Sequence, residues 1–174
     1  MLLTDSPTIA EKIRDLRDYD NKDDYRLRMN AKMSEIEAAI GNEQLKKLSA
    51  FVACRRDIAR IYDRALRPLP VRLPPTDANR DHVYFCYVIR VSSAGREHWL
   101  SELGRAGVEA KRPVYKALHQ YLRLPDKEYP VASQAMLECC SLPIFPALPG
   151  EDVTTVIRCI KEVAVSLPTA SRQL

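Results

Sequence analysis

Apolar side chains recur at helical spacing along most of this chain, and a few short stretches break the rhythm. Residues 1–4 are short and apolar, the pattern of a strand end. Ser6 or Asp5 then stands as a helix cap, Pro7 opens the first turn, and Ile9, Ile13 and Leu16 supply one apolar stripe. Residues 19–29 are polar and irregular and predict a loop. Ser34, with Glu37 three residues on, has the form of a capping box. From Met33 the stripe runs through Ile36, Ile40, Leu45, Leu48, Val52, Ile58, Ile61 and Leu66, and the next proline is Pro68. One long helix is predicted, bent near Gly41; about 33 residues at 1.5 Å each would span roughly 50 Å.

Beyond it the period shortens. Pro68, Pro70, Pro74 and Pro75 bracket Val71, Arg72 and Leu73, which suits an edge strand. Residues 82–91 are rich in β-branched and aromatic side chains and read as the strongest strand. Residues 94–106 predict a helix stopped by Gly107, and 108–112 a short strand. Residues 113–130 read as a loop, 131–140 as a helix and 141–145 as a brief extended piece among prolines. Residues 149–167 predict a last amphipathic helix with Val153, Val156, Ile157, Ile160 and Val163 inward; a loose tail follows from Pro168. Few, short strands between helices predict an α+β fold. A small antiparallel or mixed sheet carries packed helices and is preceded by a long connecting helix.

Composition narrows the function classes. The 174 residues are 46% hydrophobic and 29% charged with a net charge of +4, the profile of a globular domain. Basic residues alternate with acidic ones, as in Lys12, Arg14, Asp15, Arg17 and Asp18, or in Arg55, Arg56, Arg60, Arg64 and Arg67 with Asp57 and Asp63 between them. Such mixing makes solvated helix faces with ion pairs at three- and four-residue spacing and argues against nucleic-acid binding. Neither a membrane-length apolar run nor a signal-peptide pattern is present, so no membrane and a cytoplasmic location are expected. The five cysteines form no C-x-x-C pair and suit reduced thiols. His82, His98 and His119 lie outside any metal-ligand spacing, so no metal is expected, and glycine-rich nucleotide loops are absent. Cys139 or Cys140 with His119 as a nucleophile–base pair lacks an orienting motif.

Two clusters carry candidate binding chemistry. Asn30 and Lys32 precede a predicted helix N-terminus, where an amide, an ammonium and free backbone N–H groups would suit a phosphate. The plainer alternative makes Asn30 a turn residue and Lys32 a solvated cation, with Glu35 and Glu37 complementing the helix dipole. Tyr115 and His119 lie among Lys111, Arg112, Lys116 and Arg123, a set able to meet a diphosphate or sugar hydroxyls. The alternative there is a loop with a partly buried His119 and solvated cations. No catalytic residue is assigned.

The stretch Asn30-Ala31-Lys32-Met33-Ser34-Glu35-Ile36-Glu37-Ala38-Ala39-Ile40-Gly41 resembles the segment just after the cofactor lysine in the DegT/DnrJ/StrS-type aminotransferases, pyridoxal-phosphate (PLP) enzymes acting on nucleotide-linked keto-sugars. Residues 1–19 look like the strand and helix that leave the family's large domain. Residues 111–119 resemble a loop of the form Y-x-P-L-H, with Ala117 in place of the proline, and residues 141–146 resemble its "LSLPLYP" segment. The resemblance implies that Asn30 reaches the cofactor phosphate across a subunit boundary with Lys32 beside it. It also implies that Tyr115 and His119 border the sugar site. Glycine is usual in the family where Asp20 and Arg28 stand, and leucine is frequent where Asn42 stands.

On this resemblance the chain is the C-terminal part of such an enzyme, beginning after the lysine and binding PLP weakly or not at all alone. Residues 1–33 are then the exit from the large domain, 34–167 the connecting helix and small domain, and 168–174 the tail. The implied partners are a second copy in a homodimer or a lysine-domain polypeptide, with a sugar nucleotide and an amino donor such as glutamate. The alternatives are a non-catalytic dimerisation or interaction module, or a truncated reading frame without function.

Overall fold

Residues 2–166 are described by the computed structural model; Met1, Leu167 and the expected tail at 168–174 lie outside the described residues. The chain divides into two compact units, residues up to Leu48 and residues from Ser49 on, and one long helix runs from the first into the second.

In the first unit the expected strand end does not form: residues 2–4 have no regular structure. Helix α1 spans Pro7–Leu16, and its cap is Ser6, whose Oγ accepts the Ile9 N–H at 3.5 Å. An irregular stretch leads to helix α2, Glu35–Leu66. The capping box is present: Ser34 N–H donates to Glu37 Oε2 at 2.8 Å and Glu37 N–H donates to Ser34 Oγ at 3.3 Å. These contacts hold the Glu37 carboxyl below its ordinary range. The helix continues through Gly41 uninterrupted for 32 residues and stops before Pro68, which disfavours helical backbone at Arg67. No residue from 2 to 48 is buried, so this unit has no hydrophobic core of its own.

The second unit has one core. Ile58, Ala59, Tyr62 and Leu66 form the buried face of the later part of α2. Strand β1, Tyr87–Arg90, pairs antiparallel with β2, Cys139–Leu142, setting Ile89 opposite Cys140 and Tyr87 opposite Leu142. Between them come α3 (Arg96–Arg105), the short α4 (Leu118–Tyr121), a 3₁₀ turn at Asp126–Glu128 and α5 (Pro130–Glu138); α6 (Gly150–Ser166) ends the described chain. Val153, Val156, Cys159, Ile160, Val163 and Ala164 of α6 join Trp99 and Leu103 of α3 in the core, while Ile157 is only partly buried. Gly107, at φ +79°, ends α3: its N–H reaches the Gly104 carbonyl at 3.0 Å and Val108 N–H reaches Leu103 at 2.8 Å. That is a Schellman closure.

The strands differ from expectation in length. Residues 82–86 stay outside the sheet because His82 Nδ1 accepts the Tyr84 N–H at 2.8 Å and Tyr84 sits at φ +46°, which breaks the extended path. The candidate strands at 71–73 and 108–112 each shrink to one bridge, Arg72 to Arg90 and Lys111 to Ser141, flanking the two-stranded sheet. The helix expected over 131–140 ends at Glu138, because sheet pairing takes Cys139 and Cys140. The loop expected over 113–130 contains α4 and the 3₁₀ turn. Burial opposes ionisation of Glu138, but the Gln134 amide and the Arg90 guanidinium, 2.5 Å away, hold its carboxyl below the ordinary value. Among the described residues no helix is long and apolar enough to cross a membrane.

Trp99 is fully enclosed, whereas Ile36 is 74% exposed. Trp99→Ala is therefore expected to cost about 3–5 kcal/mol in urea unfolding, and Ile36→Ala less than about 0.5 kcal/mol.

Candidate functional site

The two sequence-predicted clusters fall in different units. The first is built on the end of α1. Met29 N–H donates to the Leu16 carbonyl at 2.8 Å and Ala31 N–H to the Arg17 carbonyl at 3.2 Å, closing the base of the loop between them. Inside that loop the Arg28 side chain, 5% exposed, sets Nε and Nη2 on the two Asp15 carboxylate oxygens at 3.1 and 3.2 Å. Its Nη2 also reaches Asp24 Oδ1 at 2.6 Å and its Nη1 the Asp24 carbonyl at 3.2 Å. Hydrogen bonds from Arg28, and next from Lys22, hold the Asp15 carboxyl below its usual range. Arg28 and Asp20, where the resemblance leads one to expect glycine, do not have positive φ; Asn21 takes the left-handed conformation, at φ +53°.

Asn30 lies between the two base hydrogen bonds, exposed, and makes no hydrogen bond among the described residues. Lys32 is engaged by Asp20 at 2.9 Å and Asp18 at 3.0 Å, which raise its pKa, and its ammonium lies 6.0 Å from the Tyr19 ring centroid. The Ser34 N–H at the start of α2 is already taken by Glu37. The Asn30 amide is thus exposed and free, whereas Lys32 and the Ser34 N–H are already engaged.

In the second unit Tyr115 and His119 face opposite environments. Tyr115 is 86% exposed, while His119 is 5% exposed. His119 Nε2 lies 2.7 Å from Asp126 Oδ1 and 3.3 Å from Ser133 Oγ, and its ring stacks on Tyr129 at 4.9 Å between centroids. It joins α4, the 3₁₀ turn and α5. The serine and the carboxylate share one ring nitrogen, whereas a nucleophilic relay needs them on opposite nitrogens. Neither Cys139 nor Cys140 bonds to His119, and burial pushes the Cys140 thiol up to about 12, away from thiolate. Of the nearby cations, Arg112 pairs with Glu97 at 2.9 Å, Lys111 with Glu109 at 2.7 Å, and Lys116 lies 5.2 Å from the Tyr121 ring.

Sequence reasoning missed Arg28, Asp126 and Ser133. The signal for Arg28 was a charged residue standing in a glycine position; Asp126 and Ser133 carried none. All nine lysines are exposed, so none has the desolvated surroundings that favour the free amine of an anchoring lysine. The chemistry of an exposed amide beside an ammonium fits contact with a phosphate group. No set of His, Cys, Asp and Glu able to hold a metal occurs among the described residues.

The His119 hydrogen bond, followed by that from Gln120, holds the Asp126 carboxyl below its ordinary value. A depressed carboxyl adds stability above its unfolded-state pKa, and that stability is lost as pH falls through the lower folded value. Urea unfolding between neutrality and about pH 3 is expected to show a shallower acid loss in Asp126→Asn than in the unaltered chain.

Comparison with known proteins identifies the family. The family model for the DegT/DnrJ/EryC1/StrS aminotransferases matches residues 1–161. The erythromycin biosynthesis sensory transduction protein EryC1 of Saccharopolyspora erythraea is 32% identical over 169 residues, 92% of this chain and 46% of that protein. GDP-perosamine synthase of Caulobacter vibrioides is 27% identical over 178 residues, 95% of this chain and 48% of that one. Among solved structures, DesV of S. venezuelae, in complex with a ketimine intermediate, superposes with a TM-score of 0.84 at 26% identity, covering 95% of this chain and 47% of DesV. The chain thus spans about half the length of these relatives. With a match that takes in both the Asn30 loop and the Tyr115 segment, this chain belongs to the DegT/DnrJ/EryC1/StrS aminotransferase family.

Proposed function

We propose that this chain is the C-terminal portion of a PLP-dependent aminotransferase acting on nucleotide-linked keto-sugars, and that it completes an active site whose lysine lies on another stretch of polypeptide. The supporting observation is the family match over residues 1–161, together with a closed loop on which the Asn30 amide is exposed and unengaged. Asn30 contacts the cofactor phosphate. Lys32 adds charge there once it exchanges Asp18 and Asp20 for the phosphate. Tyr115 faces the sugar nucleotide, and His119 borders the same site from beneath, holding the segment that carries Tyr115. Residues 1–33 serve as the exit from the lysine-bearing domain and 34–167 as connecting helix and small domain. The cofactor, when bound, supplies the electron sink for moving an amino group from a donor such as glutamate. The assembly is a homodimer or a complex with a lysine-domain polypeptide, located in the cytoplasm.

A second reading, a non-catalytic dimerisation module, draws on Ile36, Ile40, Leu45 and Leu48, large apolar residues exposed along α2. A monodisperse dimer with no affinity for PLP or sugar nucleotides would favour it.

Mixing the chain with PLP and recording absorbance over roughly 330–430 nm, with and without borohydride, is expected to label no lysine specifically. Specific reductive labelling of one lysine would overturn the incomplete-site reading. Adding a lysine-domain polypeptide is expected to give amino transfer from glutamate to a keto-sugar nucleotide. In that complex Asn30→Ala is expected to weaken PLP binding about tenfold or more, the loss of one hydrogen bond to a charged group; an unchanged affinity would remove Asn30 from the site.

A further inference from the structure

We propose that Arg28 is a positioning residue: its enclosed guanidinium, forked on Asp15 and tied to Asp24, sets where the loop presents Asn30 to a phosphate. The inference rests on the reading of Asn30 as a phosphate contact.

No residue from 2 to 48 is buried, so apolar packing cannot fix this loop. What encloses it is charge. The Arg28 side chain is far less exposed than those of its partners Asp15 and Asp24, and all three of its nitrogens are engaged. A planar guanidinium on a carboxylate fixes orientation as well as distance, which an ammonium does not. The clamp spans three parts of the chain: α1 through Asp15, the loop through Asp24, and the strap leading to α2 through Arg28 itself. Asn30 follows Arg28 by two residues, and its neighbours Met29 and Ala31 are the residues whose N–H groups return to the end of α1. The position of the amide is thus set from one side by the guanidinium and from the other by the two backbone hydrogen bonds. A glycine at position 28 would have no side chain for this task. The enclosed Arg28 is not itself an anion site, because Asp15 and Asp24 already occupy its donors.

The test uses the full isotope-labelled chain with inorganic phosphate as probe. Two readouts are followed by NMR: hydrogen exchange of the Met29 and Ala31 amides, and the shift of the Asn30 side-chain amide on titration. Ser141 N–H, bonded to the Lys111 carbonyl at 2.8 Å, reports an intact second unit in every sample. Arg28→Gln is expected to speed exchange at Met29 and Ala31 and to weaken phosphate binding at Asn30, each about tenfold or more. Arg28→Lys keeps the charge without the fork and is expected to fall between the two. Arg26→Gln makes the same charge change on an exposed side chain that meets Asp24 at 2.5 Å without reaching α1, and is expected to move both readouts far less than Arg28→Gln does. The inference is overturned if Arg28→Gln binds phosphate as the unaltered chain does, if exchange at Met29 and Ala31 is unmoved, or if Arg26→Gln weakens binding equally. If phosphate leaves the unaltered Asn30 amide unshifted, the phosphate reading itself fails and the inference fails with it.

Discussion

The antiparallel register of Tyr87–Arg90 on Cys139–Leu142 constrains most of residues 49–166. It puts Tyr87 and Ile89 on the same buried face as Leu142 and Cys140, and a slip of one residue would turn all four outward. The same register ends α5 at Glu138, whose carbonyl takes the Val91 N–H at 3.0 Å and whose carboxylate meets Arg90. It brings the Tyr87 ring to within 5.0 Å of Tyr62 on α2, with the Tyr87 hydroxyl on Asp63 at 2.6 Å and the Tyr62 hydroxyl on the Pro143 carbonyl at 2.8 Å. Burial raises the pKa of both tyrosines, so each stays a neutral donor. One short ladder thereby fixes a helix end, an ion pair and the attachment of the long helix.

The longer helices were legible because they carry their own signals, whereas the one-turn α4 fell in a stretch that reads as a loop. Ser6 with Pro7, Ser34 with Glu37, and Gly107 act within a few residues, and the apolar period of α6 is long enough to average out exceptions. The strands were not, because their lengths are decided by partners distant in sequence. The run 82–91 has strand composition throughout, yet His82 captures the Tyr84 amide and the ladder begins only at Tyr87. Cys139 and Cys140 continue a helical pattern but are claimed by Ile89 and Arg90. The same division holds for the candidate sites. Asn30 could be named from the residues around it. The clamp behind it could not, since Asp15 and Arg28 lie 13 positions apart across an irregular loop. The burial of His119 likewise depends on Asp126, Tyr129 and Ser133, which reach it only through the turn after α4.

Two ways of holding a candidate residue coexist in this chain. His119 is enclosed by neighbouring elements and stacked on an aromatic ring, with its exposed companion Tyr115 carried on the surface. Asn30 is placed by carboxylates, one enclosed guanidinium and two backbone hydrogen bonds, with no packed apolar layer. Exposed ion pairs contribute little singly. A forked arginine shared by two carboxylates supplies geometry that a lone surface pair does not.

The charge-held loop and the packed unit also answer temperature differently. Releasing the Asn30 loop exposes little apolar surface, so its opening carries a small heat-capacity change and a nearly linear dependence on temperature. The core around Trp99 and Ile160 has the curved dependence of apolar burial, which weakens on cooling as well as on heating. Cold therefore loosens the scaffold of Tyr115 in relative terms while leaving the presentation of Asn30 almost untouched. The two units thus have different thermal ranges built into one chain.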